Sequence, residues 1–80
     1  MNIKILGMGC PKCRRLEGKV IELVKENNIN ADIQKVVDIQ EMIKYGAMMT
    51  PGLVVNEKLK SSGNIPKDEQ ILRWIQEEMK

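Results

Sequence analysis

The sequence predicts one α/β domain, a four-stranded mixed sheet covered by three helices in the order β-α-β-α-β-β-α. Three observations predict it. Short strand-like stretches lie at residues 2–6, 31–37, 53–55 and 58–62, while between Pro11 and Val24, and again between Ile71 and Met79, apolar residues recur at three- and four-residue steps. Gly, Asn and Pro stand at the joints between these stretches. Eighty residues are too few to divide into two units that each bury an adequate core, so residues 1–80 read as a single module.

Residues 2–6, Asn-Ile-Lys-Ile-Leu, alternate polar and apolar and run into Gly7-Met8-Gly9, a strand followed by a flexible turn. From Pro11 onward, Cys13, Leu16, Val20 and Leu23 mark one buried helical face with Val24 beside it, and Asn27-Asn28 ends that helix. Residues 31–37 supply a second strand through Ile33, Val36 and Val37. Asp38 with Glu41 has the form of a capping box for a short helix whose apolar residues are Ile39, Met42 and Ile43. Gly46 suits the left-handed position that stops it. Leu53–Val55 and Lys58–Ser62 flank Asn56-Glu57, a two-residue hairpin turn, and Lys58 and Lys60 fit an edge strand protected from further pairing. After Gly63 and Pro66, a last helix begins near Asp68 with Ile71, Leu72, Trp74, Ile75 and Met79 on its apolar face. Two right-handed strand-helix-strand crossovers and a terminal antiparallel hairpin would then share one sheet.

The chain is 42% hydrophobic and 30% charged, with Tyr45 and Trp74 as its only aromatics, so Ile, Leu, Val and Met must build the core. Net charge is +2 and the cations are interspersed with Asp and Glu, which provides no basic stripe for nucleic acid. No apolar run approaches the roughly 20 residues of a membrane span, and the first residues lack a signal-peptide pattern. The expectation is a cytoplasmic monomer with neither a nucleic-acid nor a membrane partner.

Two cysteines, Cys10 and Cys13, are too few and too close for a secreted disulfide framework, so they point to chemistry: a redox pair or soft-metal ligands. The absence of histidine excludes Cys-His and Ser-His nucleophilic designs and any mixed Cys/His zinc site. A thiol attacks a disulfide as its thiolate. Cys10 falls at a helix cap with Pro11 at the first helical position, where the N–H groups of Lys12 and Cys13 and the positive end of the helix would favour that anion. Lys12, Arg14 and Arg15 would add positive charge if their heads lean inward, although an exposed lysine is more often simply solvated. Cys13 shares the face of Leu16 and Val20 and should be buried and less acidic. Cys10 is therefore the expected nucleophile and Cys13 the resolving thiol. Pro51 directly precedes a strand, where it withholds no ladder hydrogen bond and could carry a cis peptide bond.

With Cys10-Pro11-Lys12-Cys13 after the first strand, Thr50-Pro51 before the hairpin, and the Gly63–Pro66 linker into a last helix, the chain resembles the thioredoxin and glutaredoxin superfamily. It resembles in particular the very small single-domain thioredoxin-like redox proteins of archaea and anaerobic bacteria. The resemblance implies a thioredoxin-like fold and a thiol–disulfide oxidoreductase. Such a protein would need no cofactor beyond its own cysteines, act on disulfide-containing proteins or small-molecule disulfides, and be recharged by a thioredoxin-reductase-like enzyme or a small thiol. It also implies that Pro51 is a cis-proline facing the cysteines and that the Thr50 backbone pairs with bound substrate as an added strand. Met8, Met48 and Met49 would flank the cysteines as an adaptable apolar patch or else belong to the core, while Met42 and Met79 suit packing. The Trp-Cys-Gly-Pro-Cys of typical thioredoxins is absent, and no glutathione-binding constellation stands out.

Gly7-Met8-Gly9-Cys10-Pro11-Lys12-Cys13 also resembles the Gly-Met-x-Cys-x-x-Cys loop of copper chaperones, where two soft thiolates could hold Cu(I) with Met8 nearby. Those proteins end in a strand, rarely carry proline in the loop, and have no use for Thr50-Pro51. A binding module that uses the cysteines only to sense redox state is a third reading.

Overall fold

A computed structural model describes residues 1–79. The elements follow as β1 (Asn2–Leu6), α1 (Pro11–Glu26), β2 (Asp32–Val36), α2 (Ile39–Lys44), β3 (Gly52–Val55), β4 (Lys58–Ser62) and α3 (Asp68–Glu78). The sheet order is β2-β1-β3-β4. β2 runs parallel to β1, with Ile3 opposite Ile33 and Ile5 opposite Lys35, and β3 runs antiparallel to β1, with Ile5 opposite Leu53.

One of the two expected crossovers is therefore corrected. β1-α1-β2 is a parallel crossover, but α2 joins strands of opposite direction. The lengths explain it: α1, at 16 residues, covers about 24 Å and can carry the chain back along the whole sheet. With only six residues, α2 spans about 9 Å, too little to return along a strand of about 17 Å, so the chain re-enters the sheet from the end at which it left. The ends of β1 and β2, all of α2 and the start of β3 gather there as a result.

Strand alternation divides the interior. Ile3, Ile5, Leu53 and Val55 pack against Leu16, Val20, Leu23, Ile71 and Ile75 of α1 and α3. On the reverse face Leu6 and Val54 pack with Met42 and Ala47 beneath α2. Both α1 and α2 end in paired backbone bonds around a left-handed residue. Ile29 N donates to Val24 O (2.9 Å) and Asn28 N to Lys25 O (3.2 Å), with Asn28 at φ 53°; Ala47 N donates to Met42 O (3.0 Å) and Gly46 N to Ile43 O (2.9 Å), with Gly46 at φ 84°. The hairpin turn has positive φ at both Asn56 and Glu57, the geometry whose twist matches its strands.

Several finer expectations change. Asp38 caps α2 by accepting from Gln40 N (2.9 Å), while Glu41 pairs with Lys44 and does not reach back to complete a box. Of α2's apolar residues only Met42 is buried; Ile39 and Ile43 are exposed, because six residues present one turn to the sheet and the rest to solvent. Val37 lies beyond the end of β2 and is exposed, as is Met79, at the cap of α3 where the core has ended.

Candidate active site

The cysteine pair sits where β1 hands over to α1. After Leu6 the chain turns through Gly7, Met8 and Gly9, the last at φ 87°, a left-handed position that glycine adopts without Cβ strain. Cys10 is the extended N-cap and Pro11 starts the helix. Arg14 N donates to Cys10 O (3.0 Å), closing the first turn, and Cys13 N donates to Cys10 Sγ (3.2 Å). A disulfide joins Cys10 and Cys13, whose Cα atoms are 5.0 Å apart. Cys10 is half-buried, whereas Cys13 is only 4% exposed.

No acidic residue occupies the first turn of α1. Lys12, Arg14 and Arg15 are exposed, and no ion pair or side-chain hydrogen bond among the described residues draws them to the sulfurs. The groups seen to face Cys10 Sγ are thus the helix end and the Cys13 amide. No corresponding hydrogen bond from the Lys12 amide is present among the described residues.

Gly7 makes room for Cys13. A Cβ at Gly7 would overlap Cys13 Sγ and approach Cys13 Cβ to 3.0 Å, with Thr50 Cβ 4.0 Å away. The Gly7 amide remains in the sheet, donating to Val36 O (3.0 Å). Its role here is one of space, which alternation of residue types could not reveal.

Thr50 approaches the Gly7 position that faces Cys13, and a cis peptide bond joins it to Pro51. Pro51 is fully buried and its carbonyl accepts from Gly63 N (2.9 Å). Ser62 holds the residue on the other side of Thr50: its Oγ donates to Met49 O (2.8 Å) and accepts from Met49 N (3.3 Å). Thr50 itself makes no hydrogen bond among the described residues.

An open groove of about 1000 Å³ runs from Cys10 between the Gly7–Gly9 turn, α2 and the segment before β3, with Met8, Ile39, Ile43, Met48, Met49 and Thr50 among its walls. Met8, Met48 and Met49 are exposed, at 68%, 90% and 64%, so the core alternative for these methionines is corrected. The structure brings Cys10, Met8, Met49 and Thr50 onto one surface. Pro51 is buried behind Thr50, and Pro11 and Lys12 stand exposed on the first turn of α1, outside the groove. Sequence reasoning missed the contribution of Ile39 and Ile43, whose helical spacing suggested burial. A second, smaller cavity of about 190 Å³ lies behind Cys13, between α1 and β2, where Lys35 Nζ pairs with Glu17 Oε2 at 3.4 Å.

A thioredoxin domain family model matches residues 1–76. A thioredoxin of Methanothermobacter thermautotrophicus is 37% identical over 75 residues, spanning 94% of this chain and 97% of that protein. A thioredoxin of Methanocaldococcus jannaschii is 38% identical over 69 residues, spanning 86% of this chain and 79% of that protein. These likenesses do not support the copper-carrier alternative.

Proposed function

The chain belongs to the thioredoxin domain family and is a thiol–disulfide oxidoreductase, and from that premise we propose that Cys10 attacks the substrate disulfide and Cys13 resolves the intermediate. One observation carries this reading: the two sulfurs are unequal. Cys10 is the more accessible, receives the Cys13 N–H at 3.2 Å and sits at the positive end of α1, all of which favour its thiolate; Cys13 is buried on the apolar face.

In the reducing direction, Cys10 thiolate attacks one substrate sulfur, the substrate S–S bond breaks, and the first substrate thiolate leaves and takes a proton. Cys13 then loses its proton and attacks Cys10 Sγ. The Cys10–substrate bond breaks, the second substrate thiolate departs, and the protein has given up two electrons as its own disulfide forms. The dithiol supplies both electrons.

The substrates in this reading are disulfide-containing proteins. Flexible methionines and exposed isoleucines around Cys10 offer an apolar surface that can adapt to varied partners. The Thr50 backbone, with its neighbours tied down by Ser62 and Gly63, is the segment on which an extended substrate would pair as an added strand. The electron donor is a thioredoxin-reductase-like enzyme or a small thiol, and the setting is the cytosol, where such disulfides are transient and catalytic.

Single serine variants test the assignment, with a disulfide-bonded test protein as substrate. Cys10→Ser should abolish reduction, and Cys13→Ser should accumulate a mixed disulfide detectable by mass. Equal trapping by both variants would overturn it.

A further inference from the structure

The three helices begin with different charge. α3 starts with Asp68 and Glu69 and α2 has Glu41 in its first turn, as the positive end of a helix favours. α1 has no acid there and instead sets Lys12, Arg14 and Arg15 around the buried Cys13, where the helix end disfavours cations. All three are exposed, and among the described residues no carboxylate pairs with any of them, whereas six lysines elsewhere each have an acidic partner. The acids of neighbouring elements are engaged: Glu17 with Lys35, Glu41 with Lys44, and Asp38 with the Gln40 amide. None of them lines the groove beside Cys10. The chain holds 13 Lys and Arg against 11 Asp and Glu; without these three the count would be ten against 11, so its net positive charge resides beside Cys10. At 1.5 Å per residue along the helix, all three stand within about 8 Å of Cys10, close to one Debye length at physiological salt, so a charged partner meets them together.

We propose that Lys12, Arg14 and Arg15 form a cationic rim that selects protein disulfides flanked by acidic side chains. The proposal rests on Cys10 being the attacking thiol. Cys10 stands at a border: apolar side chains of the substrate lie in the groove against Met8, Ile43 and Met49, and carboxylates beside its disulfide meet the rim outside that groove. Lys12 and Arg15 are three residues apart on one side of α1, where like charges repel, and an arriving carboxylate relieves this repulsion together with that of the helix end. Exposed ion pairs add little affinity one at a time, so the effect falls on the rate of encounter and on the rejection of basic partners. Weak, long-range selection suits a turnover reaction, because the reduced product must leave.

The test uses three short cyclic peptides, each closed by one disulfide and differing only in the residues flanking it, which are all Glu, all Gln or all Lys. The reduced protein is mixed with each peptide, quenched with an alkylating agent and its free thiols counted by mass; each rate is divided by that of the same peptide with mercaptoethanol, which cancels the peptide's own reactivity. At low ionic strength the Glu peptide should react about tenfold or more faster than the Lys peptide, with the Gln peptide between them. The preference should collapse near 1 M salt, where the Debye length falls to about 3 Å. The triple variant Lys12→Gln, Arg14→Gln, Arg15→Gln should bring the Glu and Lys rates together, while Arg14→Lys with Arg15→Lys should keep them apart, because charge and not shape is read. The ratio of the two rates also cancels any common change in the reactivity of Cys10. Equal rates for the Glu and Lys peptides at low salt, a preference indifferent to salt, or a preference that survives the triple substitution would overturn the rim and leave the assignment of Cys10 standing. Reduction of any of the peptides by Cys10→Ser would overturn that assignment, and the rim with it.

Discussion

The two faces of the sheet are built very differently. Eleven buried residues pack between the sheet and α1 and α3, whereas four lie on the α2 side. The thick face is closed, with Ile3, Leu16, Val20, Leu53, Ile71 and Ile75 fully buried. On the thin face one short helix rests on Met42 and Ala47, and Ile39 and Ile43 are left in solvent. Burial of apolar area stabilises in proportion to its extent, so the thick face holds the fold. The thin face holds the groove, and its exposed side chains are free to rearrange around a partner. Cys10 and Cys13 straddle the difference: Cys13 is anchored with the core face of α1, while Cys10 opens onto the α2 groove.

Truncation in each core should break or confirm this contrast most clearly. Leu16→Ala, in the centre of the thick face, should cost about 2–5 kcal/mol by urea denaturation. Met42→Ala should lie at or below the bottom of that range, because a site beside an open groove can collapse around the missing atoms. It should also weaken capture of a protein disulfide by Cys13→Ser. Equal stability losses would show that α2 is as firmly seated as α1.

Next in size is Gly7→Ala, at the seam where the faces meet. The added methyl must displace the Cys13 sulfur, and such overpacking costs about 1–3 kcal/mol. Formation of the Cys10–Cys13 disulfide in defined thiol buffers should suffer more than the stability does. Unchanged disulfide formation would mean that β1 shifts easily and the seam is soft.

How far the sequence foretold this division depends on the range of each interaction. Cys10, Pro11 and Cys13 lie within one turn, and Thr50 and Pro51 are adjacent, so local chemistry sufficed to place them at a helix start and a strand start. The hairpin and the caps at Asn28, Asp38 and Gly46 were legible for the same reason. The direction of β3 was not, because it depends on how far α2 can carry the chain. Neither was the space at Gly7, which is filled by Cys13 from another element, nor the meeting of Glu17 with Lys35, which needs the β1–β2 register. Periodicity marked Ile39 and Ile43 as apolar but could not say that α2 is too short to bury them.

Each face also carries a carboxylate clasp. On the thin side Tyr45, just past α2, bonds Lys4 Nζ (2.6 Å) and Glu57, and Lys4 bonds Glu57 (3.0 Å), tying α2 to β1 and the hairpin turn. Tyr45→Phe removes two of these contacts, and because the Glu57 end of the clasp is 55% exposed the pair together should cost no more than one typical hydrogen bond, a fall in Tm of less than about 8 °C in a domain of this size. Hydrogen exchange should quicken in α2 before it does in α1. Uniform quickening would indicate that the two faces open together.

The smallest effect should appear on acidification, and it distinguishes the clasps from each other. On the thick side Glu78 bonds Lys60 (3.0 Å) and pairs with Lys58 (3.4 Å), joining α3 to β4. The Lys60 hydrogen bond, with the charge of both lysines, holds Glu78 below the usual carboxylate range; the Tyr45 hydrogen bond, then Lys4, does the same for Glu57. A carboxylate depressed in the folded state stabilises it above the unfolded pKa. That contribution is lost as pH falls from about 5 through the depressed value, because the unfolded chain takes up the proton first. The Glu78 side chain is 13% exposed and that of Glu57 is 55% exposed, so salt screens the Glu57 clasp more. In urea titrations between about pH 5 and pH 3, Glu78→Gln should therefore flatten the acid loss of stability more than Glu57→Gln. Added salt should erase the effect of the Glu57 substitution first. The reverse order would place the stronger electrostatic tie on the α2 side, where packing is thinnest, and would mean that charge compensates for the missing core there.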